Sequence, residues 1–348
     1  MTNKKIGDHI YLWSLLVRMD LTKQKNNSRV LSGIQPSGSL HIGNYFGMMS
    51  RMIKYQSKND LFCFIANYHA LTTNPASQNL KLNTFNAACD FLALGMDPEK
   101  STFWIQSDVP QVTELMWILS SQTGVGLMDR ATSYKDKIAQ GLSPNVGLYT
   151  YPVLMAADII LFDTQIVPVG KDQKQHLEIT RDIVIKFNNI YGNTLILPEP
   201  DIEENNQLIP GIDGKKMSKS YKNTIPIFDS EKNIRKKIMS VITDTAEIDE
   251  PKDKNTPLFE LYCLFLDESG KEKLEKEYDS PGLRYGDVKI KLYEDIMDFF
   301  HPYREKRNYF QSNPKEVQDV LNFGAKKASR VAIEVLDRVK AAIGLGYR

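Results

Sequence analysis

The sequence predicts an α/β protein: a mainly parallel sheet interleaved with helices over residues 29–224, then a helical C-terminal domain over 225–348. Two observations predict it. Through the first part, short apolar runs alternate with stretches of helical periodicity, the pattern of a sheet buried on both faces. After about residue 224 the strand signal stops and helical spacing continues.

In order along the chain, residues 29–35 (RVLSGIQ) read as a strand that Pro36-Ser37-Gly38 breaks. A helix pattern follows from His41 to Gln56, with Ile42, Tyr45, Phe46, Met49, Met52 and Ile53 on one face. Leu61 to Ile65 is a near-continuous apolar run and reads as a buried parallel strand. A helix over 78–94, a strand from Thr102 to Gln106 and a helix from Glu114 to Ser121 come next. A helix from Tyr151 to Phe162, a strand from Ile166 to Val169 and a helix from Gln173 to Phe187 complete the alternation. Beyond 224, residues 229–243, 257–268, 284–312 and 314–343 read as helices. The last carries Val317, Val320, Leu321, Ala328, Val331, Val335 and Val339 at spacings of three and four. The charged, proline-containing stretch 244–256 reads as a loop.

Composition bounds the function. The chain has 348 residues, 42% hydrophobic and 25% charged, which excludes a disordered chain, a collagen or a disulfide-knitted miniprotein. Lys plus Arg is 44 against 43 for Asp plus Glu, so no global positive field draws the molecule onto nucleic acid, and RNA contact needs a local basic patch. Cys63, Cys89 and Cys263 form no CxxC pair, which argues against a Cys-based zinc or redox motif and fits a reducing cytoplasm. The longest mostly apolar stretch, Tyr151 to Phe162, contains Asp158 and is too short to cross a bilayer. Residues 1–28 read as an N-terminal extension with a short helix. The apolar Ile10–Val17 after Lys4 and Lys5 faintly resembles a signal peptide, but no small-residue cleavage site follows. Met19 is an alternative start.

Two segments carry candidate phosphate chemistry. Ser32 to Tyr45 (SGIQPSGSLHIGNY) is a strand, a glycine-rich turn and a helix start. That geometry aims backbone N–H groups and the positive helix end at one spot, suited to an anion such as a triphosphate, with His41 able to donate to a phosphate oxygen. No GK[ST] follows, so it is not a P-loop. Taken alone, it also describes an ordinary βα turn capped by Ser39. Far downstream, Gly214-Lys-Lys-Met-Ser-Lys-Ser220 places Lys216 and Lys219 on a small-residue loop. Flexible ammonium groups there suit the charge on a departing pyrophosphate, although a lysine run is more often a solvated loop.

Together, HIGN at 41–44 and KMSKS at 216–220 resemble the paired signatures of class I aminoacyl-tRNA synthetases. Asn44 replaces the final His of the commoner HIGH form, a variation that the tryptophan and tyrosine branch accepts. The stretches Ser32–Gly47, Tyr151–Ile160 (YPVLMAADII), Pro168–Asp182 (PVGKDQKQHLEITRD) and Gly324–Val331 are similar to the tryptophanyl version, and this similarity runs over about residues 29–348. The resemblance implies a Rossmann-type catalytic domain ending in the KMSKS loop, and a C-terminal helical domain that recognises tRNA(Trp) near its anticodon. It also implies a homodimer. The substrates would be L-tryptophan and ATP, with Mg2+ bridging phosphate oxygens; no metal-ligand set is visible in the chain.

The resemblance carries roles over residue by residue. His41, Asn44, Lys216 and Lys219 would be catalytic. Gln35, Pro36, Ser37, Gly43, Asn44, Gly170, Lys171, Asp172, Ile209, Lys216, Met217, Ser218, Lys219 and Ser220 would hold ATP, Asp172 at the ribose and Ile209 at the adenine. Lys137 would approach the triphosphate, or else be a surface lysine. Met155, Val167 and Val169 would form the indole slot, Tyr151 and Gln173 would hold the α-amino group, and His69 would line the same pocket. Leu31 stands where family members often have an aromatic residue.

Asp158 has a separate argument. It sits among Val153–Ala157 and Ile159–Leu161, and a buried carboxylate is costly unless satisfied. An indole N–H is a donor only and needs an acceptor. Asp158 would accept it, or else bond neighbouring backbone at a helix end. Two local basic clusters, Lys326, Lys327 and Arg330, and Lys232, Arg235, Lys236 and Lys237, would meet tRNA phosphates or be solvated helix faces.

Overall fold

Alternation of buried side chains along the central strands builds two hydrophobic cores, one on each face of a five-stranded sheet. The computed structural model describes residues 28–72, 79–139, 141–170, 173–202 and 208–346. The N-terminal extension, Met19, Lys171 and Asp172 therefore lie outside the described residues.

The strands are β1 (Arg29–Ile34), β2 (Asp60–Ile65), β3 (Ser101–Ile105), β4 (Ile166–Val169) and β5 (Glu199–Ile202). Their order is β3-β2-β1-β4-β5, and every pairing is parallel. This is the doubly wound arrangement, with its switch point between β1 and β4. Val30, Leu61, Cys63, Ile65 and Phe103 face one core, and Leu31, Phe62, Phe64, Trp104 and Val167 the other. Period-two alternation with both faces covered explains the continuous apolar runs in the sequence.

After β1 come α1 (Ile42–Asn44), a π-helical stretch (Tyr45–Met49) and α2 (Ser50–Tyr55), where the sequence predicts one regular helix. Then follow α3 (Asn67–Leu71), α4 (Leu80–Ala93), α5 (Gln111–Gln122), α6 (Val125–Asp129), α7 (Thr132–Ala139), α8 (Val146–Ile160) and α9 (Lys174–Tyr191). Helix α8 starts five residues before the predicted Tyr151, because the Asn145 side chain accepts from Leu148 N at 2.8 Å and caps it. Helices α10 (Glu231–Met239), α11 (Pro257–Cys263), α12 (Glu268–Asp279), α13 (Tyr285–Ser312) and α14 (Pro314–Ile343) follow. Sequence periodicity misses α12, a charged segment that buries only Leu274 and Tyr278 and is capped by Asp267. It also misses β5, whose Glu-Pro-Asp-Ile is polar and half exposed because it forms a sheet edge.

The helices after residue 225 pack on the preceding layers. Helix α13 lies against α4 and α10, while α14 returns to the sheet and lies along β3 and α5. Its Val317 and Leu321 join one core, and Ala325, Ala328, Ala332, Val335 and Val339 the other, so α14 crosses the β3 edge and covers it. Gly324 stands at the crossing; a Cβ there would lie 1.8 Å from the Phe103 carbonyl oxygen. Only a residue without a side chain lets the helix backbone approach the strand backbone this closely. The C-terminal segment thus completes the layers around the sheet, because α14 covers edge β3 and contributes apolar residues to both cores.

Candidate active site

The strand C-termini at the switch point open into a cavity of about 620 Å³. Leu31, Ser32, Gly33 and Gln35 of the β1 end and Val167, Pro168, Val169 and Gly170 of the β4 end form two walls. Helix α8 contributes Tyr151, Met155 and Asp158, all on one face at spacings of three and four. His69, Gln173 and Lys137 also line it. All the residues expected around the indole and the amino group therefore surround one space.

Asp158 is 3% exposed and is not stranded among apolar groups. His69 Nε2 lies 2.8 Å from Oδ2, and Gln106 Nε2 donates to both carboxylate oxygens at 2.8 Å. Three contacts leave one of a carboxylate's roughly four acceptor positions, so Asp158 can still receive one N–H from the cavity. Burial pushes its carboxyl above the usual carboxylate range, while His69 and Gln106 pull it back. Gln106 escaped sequence reading; its signal was one polar residue at the end of the apolar strand Ser101–Ile105.

A second network orients Tyr151 and Gln173. The Tyr151 hydroxyl meets His176 Nε2 at 2.5 Å, and His176 Nδ1 lies 3.0 Å from Gln173 Oε1. His176 was also missed, although its spacing of three from Gln173 in the first turn of α9 pointed to it. Lys137 sits with Nζ 4.2 Å above the Tyr151 ring, where burial lowers its ammonium pKa.

The phosphate-binding candidates form a neighbouring group. His41 is buried, and its backbone N–H is accepted by the Asn44 side chain at 3.1 Å. The adjoining chain is stitched on by Ile42 N to Ile225 O at 3.0 Å and Ile227 N to Leu40 O at 3.1 Å. Burial, then the Lys219 charge, lowers the His41 pKa to about 4, so its imidazole is neutral at pH 7. The lysine loop lies against this turn. Gly43 N donates to Met217 Sδ at 3.3 Å, and Lys219 Nζ donates to Ser37 O at 3.0 Å. His41 and Lys219 line a depression of about 300 Å³ with Ser39, Thr224, Asp229 and Lys237. Partial burial lowers the Lys219 ammonium pKa, and Asp90 opposes this.

The remaining candidates are less directly placed. Lys216 and Ser220 are exposed, Pro36 and Met217 are buried, and Ser218 is half-buried. Ile209 packs on the core, and its carbonyl accepts from Met217 N at 2.8 Å, so here it braces the lysine loop.

Comparisons with known proteins agree on one family. A family model described as tRNA synthetases class I (W and Y) matches residues 23–301. The tryptophan–tRNA ligase of Campylobacter jejuni is 52% identical over 318 residues, 91% of this chain and 100% of that one. That of Fusobacterium nucleatum is 49% identical, covering 91% and 98%. A crystal structure of the Campylobacter jejuni tryptophanyl-tRNA synthetase, complexed with ADP and tryptophan, superimposes with a TM-score of 0.88 over 91% of this chain and 99% of that one.

Proposed function

Because the chain belongs to the class I tRNA synthetases of the W and Y group, we propose that it ligates L-tryptophan to tRNA(Trp). In the first step a tryptophan carboxylate oxygen attacks the α-phosphorus of ATP. The bond from that phosphorus to the bridging oxygen breaks, and pyrophosphate leaves with the electron pair. Tryptophanyl-adenylate remains. In the second step the 2′-hydroxyl of the tRNA's 3′-terminal adenosine attacks the carbonyl carbon of this anhydride and AMP departs. The protein needs no covalent nucleophile; it positions the reactants and stabilises charge.

The observation that carries this reading is the buried Asp158, held by His69 and Gln106 with one acceptor position left, beside Met155, Val167 and Val169 in the same cavity. Met155, Val167 and Val169 pack on the indole faces, and Asp158 accepts the ring N–H. Tyr151 and Gln173, held by His176, take the α-amino group. The backbone at Gly170 meets the adenosine, and the turn from Gln35 to Asn44 receives the phosphates. His41, neutral, donates to a phosphate oxygen, and Lys216 and Lys219 follow the charge onto pyrophosphate.

The side chains beside Lys219 do not fit a protein-held Mg2+. Asp229 is engaged by Ser230 N at 2.6 Å and by the Asn233 side chain, and the residues around it are cationic or neutral donors. Among the described residues no group of three His, Cys, Asp or Glu has the geometry to hold a metal. Mg2+ would come with ATP and would supply charge neutralisation at the phosphates, with no side chain assigned to hold it. We extend the reading to a homodimer that takes tRNA across both subunits.

The test is amino-acid-dependent exchange of labelled pyrophosphate into ATP, with charging of tRNA(Trp). Tryptophan should support both, phenylalanine, which leaves Asp158 unpaired, should be rejected by about 10⁴-fold or more, and tyrosine should support neither. Equal exchange with tyrosine would sink the assignment.

A further inference from the structure

The lysine loop has little packing of its own, so what holds its backbone in place matters. Residues Lys219–Tyr221 form one 3₁₀ turn, and Lys222 follows in the left-handed region at φ 55°. A lysine there is strained and persists only where its neighbours fix the chain. The next residue does so. Asn223 is 1% exposed, and its single amide group ties both sides of the loop together. Its Oδ1 accepts from Ser218 N at 2.8 Å. Its Nδ2 donates to Lys216 O at 3.0 Å and to Asp213 Oδ1 at 2.7 Å. Its backbone carbonyl accepts from Ile212 N at 3.0 Å. Asp213 also accepts from Lys215 N at 3.1 Å. Gly211 leaves the room: a Cβ there would lie 2.3 Å from the Asn223 amide.

We propose that Asn223 is a positioning residue for pyrophosphate departure. It clamps the Lys216 carbonyl and the Ser218 amide on either side of Met217, and so sets where the Lys216 and Lys219 ammonium groups stand when the α–β bond breaks. The inference rests on the function proposed above. It assigns the rate of that step to a side chain that touches neither substrate. Asn suits the position for a stated reason. It must offer an acceptor to one backbone N–H and donors to a carbonyl and a carboxylate, which neither Asp nor a hydroxyl supplies at once.

The test uses the full chain and three variants: Asn223→Ala, Asn223→Asp, and Asn223→Asp combined with Asp213→Asn. Tryptophan-dependent pyrophosphate exchange gives kcat, and equilibrium dialysis with labelled tryptophan gives Kd. Asn223→Ala should lower kcat about 10- to 100-fold, the scale expected when a charge is displaced by about 1 Å. Tryptophan Kd should stay within about twofold, because the slot at the β1 and β4 ends makes no use of Asn223. Asn223→Asp, the same size, should lose rate similarly, since it removes both donors and sets a second carboxylate against Asp213. The double exchange restores one donor–acceptor pair and should recover about fivefold or more over Asn223→Asp. A kcat within twofold of wild type in Asn223→Ala, tryptophan affinity falling in step with kcat, or no recovery in the double variant would each overturn the role. Absence of exchange in the unmodified protein would instead overturn the function on which it rests.

Discussion

The proposed tryptophan side and the proposed phosphate side of the site are built by opposite means. Strand ends and the buried helix α8 form the first, and its key polar groups already hold one another: Asp158 with His69 and Gln106, Tyr151 with His176 and Gln173. The turn after β1, with the buried His41, and a lysine loop without a core of its own form the second. The loop is anchored by the buried Met217, the amide of Asn223 and a lysine reaching to Ser37. The difference follows from the two tasks. Discrimination between amino acids needs a fixed acceptor in a desolvated slot, where an unpaired polar group is expensive. Stabilising charge that shifts during reaction needs cations on long stems close to solvent.

This contrast breaks or holds on three measurements. Lys219→Ala should have the largest effect, lowering the rate of adenylate formation about 10²- to 10³-fold while tryptophan affinity barely changes. Pre-steady-state pyrophosphate release and tryptophan dialysis read the two quantities, and parallel losses would mean that the sides are not separable. Asp158→Asn should do the reverse. It keeps the size but exchanges an acceptor for a donor that faces Gln106, so tryptophan KM should rise about 10- to 100-fold with a smaller fall in kcat. An unchanged KM would remove Asp158 from indole recognition.

The smallest effect concerns His41. Its folded pKa is depressed to about 4 from the ordinary 6.5, so the unfolded chain binds the proton more readily between those values. The stability that neutral His41 contributes is present above pH 6.5 and is lost as pH falls toward 4. In a histidine NMR titration, its resonance should stay in the neutral form from pH 8 to 5. A midpoint near 6.5 would show a solvated ring and a looser phosphate side than the structure draws.

Legibility in the sequence divided along the same line. Strands β1 to β4 were read within a residue or two, since apolar runs such as Leu61–Ile65 have one stable fate in a covered parallel sheet. The edge strand β5 and helix α12 were not, because half-exposed segments carry weak patterns. The candidate residues of the slot were named from motifs, yet Gln106 and His176 were not. They act on other side chains, and those partners lie 52 and 25 residues away. Asn223 was passed over likewise, although it follows the KMSKS stretch closely.

The sequence by itself determined the alternation of strands and helices, the absence of a long apolar span, and the two signatures that bracket the site. Each is written in local spacing and residue type. The tertiary structure alone decided that α14 returns to seal the β3 edge, with Gly324 at the crossing. It alone decided that His69 and Gln106 hold Asp158 in place with one acceptor position left, and that one buried amide holds the lysine loop. Burial and hydrogen-bond partners are properties of chain segments brought together, and no local pattern encodes which distant group will complete a buried donor or acceptor.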